Sequence, residues 1–108
     1  MFELTSYLPE MYDYLGNQIN RAALSVVLNI AEGSGKTSDK DFNRYIHNAL
    51  GSIHELYAAL DIIKDLDIAY RISFKEPEEL LTSIRKQLGG LSKKLRVESW
   101  LLMVDSWR

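Results

Sequence analysis

Ala22-Ala23-Leu24-Ser25-Val26-Val27-Leu28-Asn29-Ile30-Ala31, followed by Glu32-Gly33, decides how the rest of the chain is read. At about 100° per residue these apolar side chains run right round a helix instead of forming one stripe. A helix of that kind is normally covered on every side. Its polar members are ordered: Ser25, Asn29 and Glu32 follow i, i+4, i+7 spacing and share one face. A chain of 108 residues has little room to enclose such a helix alone, so the pattern speaks of assembly before it speaks of chemistry.

Length and composition fit one globular domain: 46% of residues are apolar, 26% are charged, and the net charge is −2. There is no cysteine, which excludes disulfides and thiolate chemistry and suits a reducing compartment. The apolar run is interrupted by Ser25 and Asn29, bounded by Arg21 and Glu32, and too short to cross a bilayer. Met1-Phe2-Glu3-Leu4 lacks the basic start and apolar core of a signal peptide, so a cytoplasmic location is the default expectation.

The coarse reading is all-helical. A stub over residues 2–8 precedes Pro9, and a second helix runs from Glu10 or Tyr14 to Glu32, with Gly33-Ser34-Gly35 expected as its cap and turn. Ser38 is placed to cap a third helix, with Asp39 and Asp41 in its first turn. Phe42, Ile46, Ala49, Ile53, Leu56, Leu60 and Ile63 alternate steps of four and three, which predicts a long bundle helix ending near Leu66 or Tyr70. A fourth starts near Pro77 with Leu81, Ile84, Leu88, Leu91 and Leu95 at the same spacing. Gly89-Gly90 weakens its middle and offers room for a close neighbour, as do Ala49 and Gly51 on the third helix. These elements imply an up-and-down antiparallel four-helix bundle with a truncated first helix. Either the chain begins inside that helix or a neighbouring subunit fills the gap. The bundle domain is expected over 1–95.

Residues 96–108 form a separate Trp-containing tail. Leu95-Arg96-Val97-Glu98-Ser99-Trp100-Leu101 is echoed by Leu102-Met103-Val104-Asp105-Ser106-Trp107-Arg108, a repeat with a period of seven. It reads either as a docking tail or as a tandem duplication lying loosely on the bundle, since two repeats do not make a solenoid.

Several chemical motifs fail on inspection. Gly33-Ser34-Gly35-Lys36-Thr37 suggests a phosphate loop, but Ile30 stands where that loop needs glycine, and a helix replaces the preceding strand. His47 and His54 share a helix face, yet Arg44 and Gly51 occupy the positions where metal bundles carry carboxylates. No serine nucleophile constellation assembles with any specificity, although Ser25, Ser52 and the histidines leave a hydrolase as a weaker alternative. No enzymatic activity, metal, cofactor or small-molecule substrate is therefore expected. Charge is uneven: residues 85–108 carry six basic groups against two acids, and residues 55–84 seven acids against three basic groups. Arg85, Lys86, Lys93, Lys94 and Arg96 are thus candidate phosphate contacts, or simply a solvated helix face.

Gln18-Ile19-Asn20-Arg21-Ala22-Ala23, Ser25-Val26 and Asn29-Ile30-Ala31-Glu32-Gly33 lead on to Ser38-Asp39-Lys40-Asp41-Phe42, Ala49-Leu50-Gly51-Ser52 and Glu55-Leu56. Together these resemble the bacterial four-helix-bundle family encoded in intervening sequences of 23S ribosomal RNA genes, also called S23 ribosomal proteins, over roughly residues 4–95. The resemblance implies a homo-oligomeric ring, a pentamer, with a largely undefined role. A related branch is the accessory protein of diversity-generating retroelements, which binds a reverse transcriptase and nucleic acid. Two departures stand out: the full first helix is missing, and Val27 replaces the proline that often follows the Ser-Ile pair. Arg21, Ser25, Asn29, Glu32, Gly33, Gly51, Ser52 and Glu55 form the motif expected to set helix register or subunit contacts. Asn29→Leu is expected to leave the helices formed and disturb the oligomer.

Overall fold

The computed structural model describes residues 2–6 and 8–106, with side chains described over 4–6 and 8–97. Its helices are α1 (Phe2–Thr5), α2 (Asp13–Ser34), α3 (Asp39–Lys64) and α4 (Lys75–Ser106). Short 3-10 turns at Glu10–Tyr12 and Ala69–Arg71 lead into α2 and link α3 towards α4. Antiparallel α3 lies between α2 and α4 and packs on both. The molecule measures 63 × 21 × 16 Å. Its two shorter dimensions span about two helix diameters, so the flanking helices keep outer faces open.

Local chemistry explains the boundaries. The Ser38 side chain accepts the Asp41 backbone N–H at 3.1 Å, satisfying one of the orphan donors at the start of α3. Glu76 and Glu78 enrich the first turn of α4, where the helix dipole favours acids, and Pro77 is tolerated there because its missing N–H is not required. The end of α2 differs from expectation. The helix runs through Gly33 to Ser34, and neither Gly33 nor Gly35 has a positive φ. Its last turn closes through Gly35 N–H to Glu32 O and Lys36 N–H to Gly33 O. The glycine at 33 serves packing, as described below.

The core follows the pattern on α3. Ile46, Ala49, Ile53, Leu56, Leu60 and Ile63 are all buried, and each large one contributes roughly 1.5–3 kcal/mol by leaving water. Leu81, Leu88 and Leu95 of α4 close over one side, with Ile84 and Leu91 half-buried at the margin. From α2 come Ile19, Ala22 and Val26, while Leu4 and Leu8 of the N-terminal stretch fold back onto its first turns.

Within one subunit α2 keeps an open face: Leu24, Val27 and Leu28 are 50%, 61% and 57% exposed. The glycine expectations are corrected. Gly51, Gly89 and Gly90 border open space, so none marks a close helix approach. Among the described residues the all-helical reading holds, with three long helices and a four-residue stub at the front. The α4 backbone continues as one helix through Leu95 to Ser106. The paired Trp100 and Trp107 side chains lie outside the described residues.

Candidate interaction surfaces

The polar line on α2 divides between two roles. Ser25 and Asn29 turn toward α3 at the edge of the core. Ser52 Oγ of α3 donates to Ser25 Oγ at 2.9 Å and lies 3.4 Å from the Asn48 carbonyl. Asn29 Nδ2 donates to Ser25 Oγ at 3.0 Å and to the Ser25 carbonyl at 2.8 Å. Ser25 Oγ therefore accepts from two helices at once. Ser52 is buried, so the cross-helix bond gives its hydroxyl a partner at the α2–α3 contact. Glu32 points outward instead, pairing with Lys36 at 3.5 Å, an exposed contact of small energetic weight.

Gly33 completes the α2–α3 contact. A Cβ at this position would stand 2.7 Å from Tyr45 Cβ and 3.0 Å from Phe42 Cδ1, so only glycine lets the helices meet here. Tyr45 is held in turn by two cations, Lys36 Nζ at 5.3 Å and Arg44 Cζ at 4.9 Å from its ring centre. Gly51 and Glu55 are exposed, and Gly51 meets nothing, so these two stand apart from the Ser25–Ser52 cluster.

Outside this seam an open groove of about 590 Å³ runs along α2, lined by Arg21, Leu24, Ser25, Leu28, Asn29, Ala31, Glu32 and Tyr45. Its floor joins the exposed leucines to the polar pair, and Arg21 and Glu32 stand at opposite ends. Such a surface has the i, i+3, i+7 spacing of helix-on-helix contact and lacks the enclosure of a small-molecule site.

The α3–α4 contact carries a polar cluster that sequence reading missed. Ser92, buried on α4, donates to Asn43 Oδ1 at 2.6 Å and lies 3.3 Å from His47 Nε2. Tyr57 and Thr82 hydroxyls meet at 2.7 Å. The available signal was Ser92 standing four residues after Leu88 and three before Leu95, in line with the core stripe. His47 and His54 themselves are exposed. Among the described residues no three His, Asp or Glu side chains gather as a metal site would require.

Arg85, Lys86, Lys93, Lys94 and Arg96 are all exposed on α4. Arg85, Lys93 and Arg96 line one strip with Gly89 between them, Lys86 stands beside it, and Lys94 lies off it. No helix among the described residues is long and apolar enough to cross a membrane.

Among the described residues there is no strand, and α2 and α3 meet through the Gly33 contact and the Ser25–Ser52 hydrogen bond. The chain belongs to the 23S rRNA-intervening sequence protein family, whose model matches residues 1–90. The match covers α1 to α3 and the first half of α4, and the heptad-like repeat lies beyond it. Comparison with curated proteins and with solved structures returns no match.

Proposed function

We propose that this protein is a non-enzymatic helical interaction module that works as an assembly of copies of itself. The observation that carries this reading is the exposed apolar strip Leu24, Val27, Leu28 and Ala31, spaced i, i+3, i+4, i+7 on the helix that holds the family's signature residues. Solvent-exposed leucines at that spacing form the seam by which helices associate. A second copy would also cover this exposed face, in line with the oligomeric ring that the family resemblance implies. Sedimentation of the full chain tests it: the mass exceeds one subunit, and Leu28→Asp returns it to one subunit with helicity unchanged. A monomer at every concentration overturns the proposal.

The basic strip on α4 supports a second reading, contact with nucleic-acid phosphates, as in an accessory subunit of a reverse transcriptase. Cations repeated along one helix face suit a phosphate backbone and would give salt-dependent affinity. RNA and DNA retardation in a gel, lost in Lys93→Gln/Lys94→Gln/Arg96→Gln, is the expected outcome. Binding unaffected by these changes, or by salt, removes this reading.

A further inference from the structure

We infer that the outer face of α4, where this helix runs on past the other two, docks on a lipid surface rich in anionic headgroups. This goes beyond self-association and does not rest on it. Ser92 of α4 stands opposite Asn43 and His47, and α3 begins at Asp39. Gly33, near the end of α2, meets Phe42 and Tyr45, so the turn between α2 and α3 lies at this same end of the molecule. Continuing the antiparallel register from Ser92 brings α4 level with Asp39 near Glu98. The α4 backbone stays helical to Ser106, so its last two turns project about 12 Å beyond α2 and α3. The projecting stretch reads Ser99-Trp100-Leu101-Leu102-Met103-Val104, and among the described residues no helix of the same chain runs beside it.

Charge and apolarity are sorted by face along α4. At about 100° per residue, positions 86, 89, 93, 96, 97, 100 and 104 share one arc of about 100°, on the side of the helix away from the buried Leu88 and Leu95. Lys86, Lys93 and Arg96 are exposed there, and Val97 is 49% exposed. From Leu80 onward the acids are Glu98 and Asp105, and both positions fall outside that arc. One outer strip is therefore cationic alongside the bundle and apolar beyond it, with position 100, a tryptophan, at the change. Anionic headgroups attract the cations, apolar residues gain by leaving water at the acyl boundary, and tryptophan favours the level between. A nucleic acid would use the same cations and could stack on Trp100, but it gives Leu101, Met103 and Val104 nothing to do. A second copy laid strip against strip brings cations onto cations, with no acid in the strip to meet them.

The two tryptophans of the chain, Trp100 and Trp107, both belong to this end, so intrinsic emission reports on it. The full chain is titrated with vesicles of phosphatidylcholine alone and of phosphatidylcholine mixed with phosphatidylglycerol, and pelleting is measured alongside. With the anionic vesicles the emission shifts to the blue and the chain pellets; with the zwitterionic ones both effects are far smaller. Lys86→Gln/Lys93→Gln/Arg96→Gln weakens this partition on the order of a hundredfold. Val104→Asp weakens it roughly tenfold. Circular dichroism and particle mass stay as in the wild type, since the three cations are exposed and Val104 lies past the bundle. No pelleting with either vesicle, equal pelleting with both, or pelleting that leaves the tryptophan emission unmoved overturns the inference. A blue shift that grows with protein concentration without lipid also overturns it and assigns the segment to a second copy. An RNA oligonucleotide that quenches the emission while vesicles do not overturns it in favour of nucleic acid. Particle mass is read separately, so self-association stands or falls by itself.

Discussion

Gly33 of α2 rests directly on Tyr45 of α3: a methyl group at position 33 would lie 2.7 Å from Tyr45 Cβ. The obstacle is a Cβ close to the α3 backbone, not the far end of a flexible chain, so the helices themselves must part. Helix propensity favours alanine over glycine by up to about 1 kcal/mol. Forcing a methyl into a filled contact costs about 1–3 kcal/mol. Gly33→Ala should therefore lose stability overall, by about 1–2 kcal/mol in urea denaturation. Gly51→Ala, facing open space on the neighbouring helix, should gain roughly 0.5–1 kcal/mol. Equal responses from the two glycines would remove the packing argument.

Ser25 and Ser52 supply the next prediction. Each hydroxyl belongs to one cross-helix bond, and each alternative partner is local: Asn29 for Ser25, the Asn48 carbonyl for Ser52. Ser25→Ala and Ser52→Ala should each cost about 1 kcal/mol, and the double variant clearly less than their sum. Strict additivity in the cycle would show that the bond does not couple the helices.

How much of this was legible in the sequence depends on what period can encode. On α3 the four-three spacing named the buried side chains directly, because that helix has neighbours on two sides and one wide apolar face. On α2 the period placed Leu24, Val27 and Leu28 correctly in angle. It did not say which face the fold leaves open, since cover is a property of the whole fold. Gly51 misled for a similar reason: its small size permits close approach, yet it faces solvent, while Gly33, expected to end a helix and counted in the same contact motif, makes the close contact. Ser25 and Ser52 were legible as members of one contact motif, and the structure joins them directly. Ser92 was hidden, one polar residue in a leucine stripe, with partners Asn43 and His47 forty-nine and forty-five positions away.

That hidden serine is testable by itself. Ser92→Ala removes the donor from Asn43 Oδ1, a half-buried oxygen, and should cost about 1–2 kcal/mol. Adding Asn43→Leu should recover part of the loss, because both partners of the bond are then apolar. A greater loss in the double variant than in Ser92→Ala would argue that Asn43 has a separate role.

Lys64 provides the pH dependence. It closes the α3–α4 connection, bonding Glu78 and lying 5.5 Å from the centre of the Phe74 ring. The hydrogen bond to Glu78 raises its pKa above the ordinary lysine value; desolvation pulls the other way, and the charges of Glu78 and Asp61 raise it further. A cationic group whose pKa is raised on folding contributes stability that is fully present below the unfolded-state pKa. That contribution disappears as pH climbs through the folded-state value. The window therefore lies above the ordinary lysine pKa of about 10.4. Six tyrosines also ionise in alkali, so the useful quantity is the difference between wild type and Lys64→Met. That difference in urea midpoint should stay flat from pH 7 to about pH 9.5 and shrink as pH rises beyond about 10.5. If it holds constant through pH 12, the ammonium–carboxylate contact does not contribute to holding α4 on α3.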